Sequence, residues 1–223
     1  MRFDFWNRKK DHPEFWREYL AVVAKKRSPQ TPIDALDFVV FDTETTGLDT
    51  KMDKLLTIGA LRLQGKRIDL ADGFETRILQ RDNYQTAAIP IHGIVPDKEK
   101  GLPPSEALQR FVKYLGNSIL VGHNVGFDLQ MINRGLLAMD GGKLKNAYLD
   151  TAKLAIRVEH LQPSSVLDPR AFTLDALCQR YGIRMHDRHN AAGDALLTAI
   201  LLLKLLAQLK KRGVNTWRDL RRR

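Results

Sequence analysis

Two acidic side chains follow a short apolar segment near residue 40. Residues 38–41 (FVVF) form a continuous apolar, β-rich run that is typical of a buried central strand. Asp42 and Glu44 come at the end of that strand, and because side chains alternate between its two faces, both carboxylates point the same way. Neighbouring carboxylates repel each other when they lose water, and a bound Mg²⁺ or Mn²⁺ removes that cost. The pair alone also fits two ordinary acids in a loop.

A third acid belongs to a second motif. Residues 122–128 (GHNVGFD) follow a short apolar strand and open a helix, which places Asp128 in the first helical turn near the strand ends. An acid in this position also stabilises a helix N-terminus without any ligand, because the helix dipole favours negative charge there. The motif therefore permits a metal ligand without requiring one.

A fourth acid and a histidine form the third motif, residues 189–194 (HNAAGD). Asp194 falls in the first turns of the longest predicted helix, and His189 comes just before that helix. The small residues between them allow the helix to approach other backbone closely. Taken by itself, a histidine before a helix is more often a surface cap than a catalytic group.

The elements that must position these motifs change character along the chain. Three strands close in sequence are followed by alternating strands and helices. The predicted elements are strands at 38–41, 56–63, 68–78, 119–121 and 147–149, and helices around 108–115, 127–138, from 150 onward, 173–181 and 191–209. This order predicts an α/β domain with one mixed sheet, an antiparallel meander followed by helix-linked parallel strands, with helices on both faces.

The chain divides by composition into three parts. Residues 1–36 are predicted to be an N-terminal arm, residues 37–209 the main domain and residues 210–223 a basic C-terminal tail. The arm contains an amphipathic segment, residues 13–26, which predicts a helix whose aromatic side chains pack on the main domain. A helix that binds a partner protein is the alternative interpretation.

Charge and cysteine content narrow the class of protein. The 223-residue chain has a formal net charge of +10, and from Lys204 onward eight Lys or Arg residues face one acid, Asp219. A basic protein of this kind favours a polyanionic partner such as nucleic acid. The single Cys178 excludes an intrachain disulfide and a cysteine-rich zinc site, and it fits a cytoplasmic location. We expect no signal peptide, and the apolar run 196–209 is expected to be too short and too polar to cross a membrane.

Together the motifs resemble the DnaQ-like, or DEDDh, exonuclease superfamily, which includes the epsilon proofreading subunit of bacterial DNA polymerase III. The resemblance covers roughly residues 37–209. A histidine five positions before the last acid is typical of the histidine branch, whereas Asn190 stands where the tyrosine branch has its tyrosine. The segments that resemble family motifs are residues 42–48 (DTETTGL), 91–94 (IHGI), 123–128 (HNVGFD) and 189–194 (HNAAGD).

The resemblance implies a ribonuclease H-like fold and a two-metal site. The implied ligands of two Mg²⁺ or Mn²⁺ ions are Asp42, Glu44, Asp128 and Asp194. His189 is implied as the general base that deprotonates the attacking water, since a free histidine titrates at about pH 6.5. Contacts to the terminal nucleotide are implied for Thr45, Leu48, His92 and Phe127.

Two of the residues near these motifs have a competing interpretation. Phe127 fits core packing as well as a contact to the scissile end of the substrate. Asp150 resembles an acid that is common at this point in the family, and we interpret it as a helix cap and not as a fifth metal ligand.

Three functions remain open at this stage. A 3′→5′ exonuclease that releases nucleoside 5′-monophosphates from single-stranded DNA ends, in proofreading or repair, is favoured. An exoribonuclease that trims RNA would use the same chemistry. A non-catalytic nucleic-acid-binding module is disfavoured, because all four acids and the histidine are present. Little follows Leu209, where the proofreading subunit carries its polymerase-binding extension, so stable association with a polymerase is doubtful.

Overall fold

One five-stranded sheet runs through the protein. The computed structural model describes residues 12–80, 93–94, 100–159, 168–186 and 188–222. The strands are β1 (Asp37–Thr45), β2 (Leu55–Gln64), β3 (Arg67–Arg77), β4 (Ile119–Gly122) and β5 (Tyr148–Asp150). The helices are α1 (Glu14–Val23), α2 (Pro104–Leu115), α3 (Gly126–Leu137), α4 (Thr151–Val158), α5 (Leu174–Arg180), α6 (Ala191–Lys211) and α7 (Trp217–Arg221), with 3₁₀ turns at Ile33–Ala35 and Pro169–Phe172.

The sheet is mixed, with the strand order β3-β2-β1-β4-β5. β1 pairs antiparallel with β2 on one side and parallel with β4 on the other. β3 adds antiparallel to β2, and β5 adds parallel to β4. The predicted α/β sheet, a meander followed by parallel strands, is therefore confirmed, and its central strand is the one that carries Asp42 and Glu44.

The central strand separates two hydrophobic cores. Phe38 and Val40 face a core that α4, α5 and α6 cover, whereas Val39 and Phe41 face a second core under α1, α2 and α3. Both sets are fully buried because helices cover both faces of the sheet. Residues that continue β1 inherit this alternation, so the two acids lie on the α6 face and Thr43 on the α3 face.

The N-terminal helix packs on the main domain. Trp16 is 1% exposed and Tyr19 is 4% exposed, and both belong to the second core. The Tyr19 hydroxyl donates to Asn146 Oδ1 over 2.6 Å, and it accepts from the Lys145 amide at 2.6 Å. The packing interpretation of the arm's aromatic residues is thus confirmed, while the proposed domain boundaries stay predictions.

The basic C-terminal segment contains a short helix that the sequence analysis missed. α7 begins with a capping box in which Thr216 and Asp219 bond reciprocally. The Trp217 amide donates to the carbonyl of Thr31 at 2.8 Å, and the guanidinium groups of Arg27 and Arg221 each lie over its ring. Thr-x-x-Asp was the available sequence signal, but five residues are too few for a clear helical period.

α6 is the longest helix and the main connection between the core and the acids. By length and apolar composition alone its 21 residues could cross a membrane, which the sequence analysis did not expect. More than half of its apolar window is buried within the protein, as expected of a core helix. Its start is capped by Asn190, whose side chain accepts from the Ala192 amide at 2.9 Å.

A glycine on β2 allows the start of α6 to touch the sheet. A methyl group at Gly59 would lie 2.3 Å from the backbone nitrogen of Ala192 and 2.4 Å from the carbonyl carbon of Ala191. Gly59 is also the β2 residue opposite Asp42 in the β1–β2 ladder. The absence of a side chain at this point therefore sets the distance between the first turn of α6 and the acids of β1.

We expect Gly59→Ala to destabilise the protein by about 1–3 kcal/mol or more, because the added methyl group meets backbone that cannot move aside cheaply. Urea unfolding followed by far-UV circular dichroism measures this loss. Gly73→Ala on β3 is the matched control, since its methyl group would meet Leu61 at an ordinary 3.4 Å. Equal stability of the two variants would contradict the role assigned to Gly59.

Candidate active site

Three acids from two elements meet at the carboxyl end of β1. Asp42 and Glu44 continue the strand, and Asp194 projects from the first turn of α6. One carboxylate oxygen of each residue lies within 4.8 Å of the others. Asp194 is only 6% exposed, whereas the two strand acids are half-buried. The predicted common orientation of Asp42 and Glu44 is thus present, and α6 supplies the third group to the same face.

The fourth acid approaches from the other face of the sheet. Asp128 is 5% exposed in the first turn of α3, and its Oδ1 accepts from the Thr43 hydroxyl at 2.6 Å. Among the described residues it stands outside the 4.8 Å group, yet its charge helps to raise the pKa of both Asp42 and Glu44. The structure therefore brings all four predicted acids to one end of β1.

Burial and mutual repulsion make these carboxyl groups hard to ionise together. Burial, followed by the charges of Asp128, Asp194 and Glu44, raises the pKa of Asp42 well above its usual value. Burial and the charge of Asp194 raise the pKa of Glu44 to about 7. Burial likewise raises the pKa of Asp128 to about 7, although the Thr43 hydroxyl opposes the change. A cation would relieve this repulsion.

The donor set fits a divalent cation. Every available donor is a carboxylate oxygen, the hard ligand that Mg²⁺ and Mn²⁺ prefer. In the part of the chain that the structure describes, Asp194 Oδ1 is buried and has no hydrogen-bond partner. A buried acceptor with no partner is costly, and a bound cation would offset that cost. The number and identity of the ions stay predictions.

His189 lies directly beside this group of acids. Its amide donates to Asp194 Oδ2 at 3.3 Å, and its backbone has a left-handed φ of 62°. The residue is exposed, which leaves the imidazole accessible to solvent. This placement is compatible with the predicted role as general base, which stays a prediction.

The residues predicted to contact substrate have different surroundings. Leu48 is 85% exposed, next to the acids in sequence. Thr45 is 7% exposed, and its hydroxyl donates to the Gly47 carbonyl at 2.6 Å, so that hydroxyl is occupied within the loop. Phe127 is half-buried and packs against the second core, in agreement with its alternative interpretation. His92 lies outside the described residues.

The loop after β1 is held by its own polar side chains. The Asp53 carboxylate accepts from the Thr46 hydroxyl at 2.7 Å and from the Asp49 amide at 2.8 Å. Arg134 of α3 donates to the carbonyls of Asp53 and Thr50 in the same loop. Met52, which is 77% exposed, stands on this loop together with Leu48 and was not identified from the sequence. In the sequence, its position four residues after the motif leucine was the available signal.

Asp150 is a helix cap, as predicted. Its Oδ1 accepts from the Ala152 amide at 3.0 Å at the start of α4. The same oxygen accepts from the Asn124 amide at 3.1 Å, where Asn124 has a left-handed φ of 54°. These two bonds attach the second motif to the start of α4. Nearby, burial lowers the pKa of His123, whose Nδ1 lies 2.9 Å from the Thr151 hydroxyl.

A comparison with protein families gives separate evidence about this site. The RNase_T family, described as exonuclease, matches residues 39–202. The chain belongs to this exonuclease family. The match includes all four acids and His189, and the predicted DnaQ-like relationship is confirmed.

The chain aligns with only part of each of the larger curated relatives that it matches. It is 36% identical over 192 residues to a DNA polymerase III subunit epsilon-like protein of Rhodobacter capsulatus, covering 84% of this chain and 26% of the relative. It is 34% identical over 176 residues to the PolC-type DNA polymerase III of Clostridium perfringens, covering 78% and 12%. The chain therefore spans about a quarter or less of the length of these relatives.

Solved structures share the fold. E. coli Exonuclease I in complex with a dT13 oligonucleotide superimposes with a TM-score of 0.69 at 18% identity, over 80% of this chain and 42% of that one. The zinc-bound form of the E. coli ExoI–ssDNA complex gives a TM-score of 0.68 at 20% identity, over 80% and 42%. These likenesses confirm the ribonuclease H-like exonuclease fold.

We expect the metal-free protein to lose stability as pH rises from about 4 to about 7. Glu44 and Asp128 hold protons in the folded state up to a pKa of about 7, whereas unfolded carboxyl groups release them near pH 4. The folded state therefore binds more protons in this window, and its stability falls with rising pH. Thermal unfolding in EDTA across this range measures the effect.

Asp128→Asn should reduce this pH dependence and raise the melting temperature in EDTA at pH 8. Glu75→Gln, which changes an exposed acid on β3, should behave like the unchanged protein. An Asp128→Asn protein that melts lower than the unchanged protein at pH 8 in EDTA would contradict the repulsion inferred for the site.

Proposed function

We propose that this chain is a metal-dependent 3′→5′ exonuclease that removes nucleotides one at a time from DNA. The observation that carries the proposal is the meeting of Asp42, Glu44 and Asp194 within 4.8 Å, with Asp128 beside them. Bringing these acids together lowers the stability of the folded protein unless a cation binds. Their positions in the sequence are those of the family motifs. Membership of an exonuclease family supports the same conclusion.

The four acids would hold two divalent cations. Such ions lower the pKa of bound water and stabilise the charge that develops on phosphate oxygens. Asp42 and Glu44 supply oxygens from a rigid strand, and Asp194 supplies its unpartnered Oδ1 from the first turn of α6. Because both elements are anchored in the core, the ligands are held in place before a substrate arrives.

His189 would accept the proton of the attacking water. The residue is exposed, and its amide donates to the acid of the same motif, and these two observations support that role. The water oxygen would form a bond to the terminal phosphorus as that proton passes to the imidazole and the bond from phosphorus to the 3′ oxygen breaks, which releases a nucleoside 5′-monophosphate. The departing 3′ oxygen would take up a proton from solvent water and remain on the shortened strand as its new 3′ hydroxyl.

Single-stranded DNA is the proposed polymer. The formal net charge of +10 favours a polyanion, and related structures of Exonuclease I hold a dT13 oligonucleotide or single-stranded DNA. Relatives named as DNA polymerase III proteins support a place in proofreading or repair of DNA. Stable association with a polymerase is a separate proposal, and a binding assay with the polymerase would test it.

End-labelled single-stranded DNA, a primer-template with a mismatched 3′ end and RNA of the same sequence should be offered in parallel. We expect stepwise shortening of the DNA strands with Mg²⁺ or Mn²⁺, none with EDTA, and none with Asp42→Asn, because that change removes a central ligand. Gel electrophoresis of the labelled products measures the steps. Shortening of RNA alone would replace the DNA proposal with an exoribonuclease, and no shortening of any polymer would favour a non-catalytic binding module.

His189→Ala should reduce the rate by about 10²–10⁴, since the water loses its proton acceptor. At saturating Mn²⁺ the unchanged protein should become faster from mildly acidic to mildly alkaline pH, and the variant should lose this rise. His186→Ala, at another exposed histidine before α6, is the control. If His189→Ala kept the original pH dependence of kcat, another group would be the base.

A further inference from the structure

An arginine that no motif contains connects two helices at the acid site. Arg188 donates through Nε to Asp175 Oδ1 at 2.5 Å, and its Nη1 forms an ion pair with Asp194 Oδ2. Asp175 lies in the first turn of α5 and Asp194 in the first turn of α6. The Arg188 side chain is 21% exposed and that of Asp194 is 9% exposed, so the pair with Asp194 is well shielded from water. One guanidinium group thus bridges the starts of two helices.

The two oxygens of Asp194 have different partners as a result. Oδ2 receives Nη1 of Arg188 and the amide of His189, whereas Oδ1 is buried without a hydrogen-bond partner among the described residues. The terminal torsion of an aspartate is intrinsically broad, so an unrestrained carboxylate can rotate. The contact with Arg188 restricts this rotation and leaves Oδ1 as the oxygen available to a ligand.

The same contact restrains the segment that carries His189. Arg188 is tied through its side chain to α5 and α6, and Asn190 caps α6. His189, between these two anchored residues, has a left-handed backbone, a conformation that is unfavourable for a residue with a side chain unless its surroundings hold it. Fixing Arg188 therefore also fixes the backbone from which the imidazole extends.

We propose that Arg188, anchored by Asp175, is a positioning residue that keeps Asp194 Oδ1 directed at the cation site and holds the segment carrying His189. This proposal rests on the function proposed above. Outer partners of a metal ligand commonly control its orientation, and their loss costs about 10–100-fold in metal affinity or activity.

The positive charge of Arg188 should weaken cation binding, whereas its contact with Asp194 should strengthen it. These two effects on metal affinity must therefore be tested separately. A cation beside the site disfavours a second cation, so simple removal of the charge would strengthen metal binding. Lysine keeps the charge, but its single ammonium group cannot reproduce the planar fork that reaches both Asp175 and Asp194. Arg188→Lys therefore tests position at constant charge, and Arg188→Met removes both properties.

Binding of Mn²⁺ alone, measured by electron paramagnetic resonance of the free ion, is the main test. We expect Arg188→Lys to raise the Kd for Mn²⁺ by about tenfold or more, and Asp175→Asn to raise it in the same direction. Arg180→Lys is the matched control, because Arg180 also bridges a carboxylate and a backbone carbonyl, those of Glu159 and Ala171. That control should bind Mn²⁺ like the unchanged protein.

A second measurement separates positioning from loss of fold. With saturating Mn²⁺, Arg188→Lys should lower kcat on single-stranded DNA while KM for the oligonucleotide stays the same, and its melting temperature in EDTA should match that of Arg180→Lys. Mn²⁺ binding by Arg188→Lys equal to that of the unchanged protein would overturn the proposal. Tighter binding by Arg188→Met with no change in Arg188→Lys would also overturn it, because Arg188 would then act by charge alone.

The outcome for the unchanged protein distinguishes this proposal from the one on which it rests. If the unchanged protein and Asp194→Asn both fail to bind Mn²⁺, the two-metal function fails and the positioning role fails with it. If the unchanged protein binds Mn²⁺ and shortens DNA, and the Arg188 and Asp175 variants do so with equal affinity and rate, only the positioning role fails.

Discussion

Repulsion among carboxylates at one end of β1 is the constraint that the rest of the structure must overcome. Asp42, Glu44, Asp128 and Asp194 are gathered where burial, together with neighbouring negative charges, raises the pKa of three of them. The hydrogen bond from Thr43 to Asp128 and the ion pair of Arg188 with Asp194 offset part of this repulsion. The arrangement persists because each acid belongs to an element whose apolar face is buried in a core. The close contact at Gly59 also restricts movement of α6 relative to the sheet.

Much of this arrangement could be predicted from periodicity and motif order. The alternation of a strand orients Asp42 and Glu44 alike, and the apolar runs around them predict the central position of β1. That reasoning could not predict contacts between side chains that are distant in sequence. The bond from Thr43 to Asp128 joins residues 85 positions apart, and the bridge from Asp175 to Arg188 depends on how two helices meet. Neither pairing leaves a periodic signal. α7 was missed for a different reason, because its five residues are too few for a helical period and its backbone is held by Thr31 and Pro29, which are distant in sequence.

The fold and the site carry different amounts of functional information. A TM-score of 0.69 at 18% identity establishes a common architecture, but an architecture hosts many activities. The carboxylate group, the histidine beside it and the rigid loop bearing Leu48 and Met52 limit the chemistry much more narrowly. Relatives of which this chain spans 12% or 26% indicate that the same unit is used within much larger proteins. The local site, and not the size of the surrounding protein, is therefore the proper basis for inferring the reaction.

The acids reach the end of β1 from both sides of the sheet. Asp194 belongs to the helical layer on one face, and Asp128 belongs to the layer on the other, where Thr43 holds it. The strands of the sheet lie between these two layers. A cation shared by ligands from both would act as a cross-link between the layers. Local opening of either layer would then release the ion, so loading of the site and cooperative folding of the domain become a single coupled equilibrium.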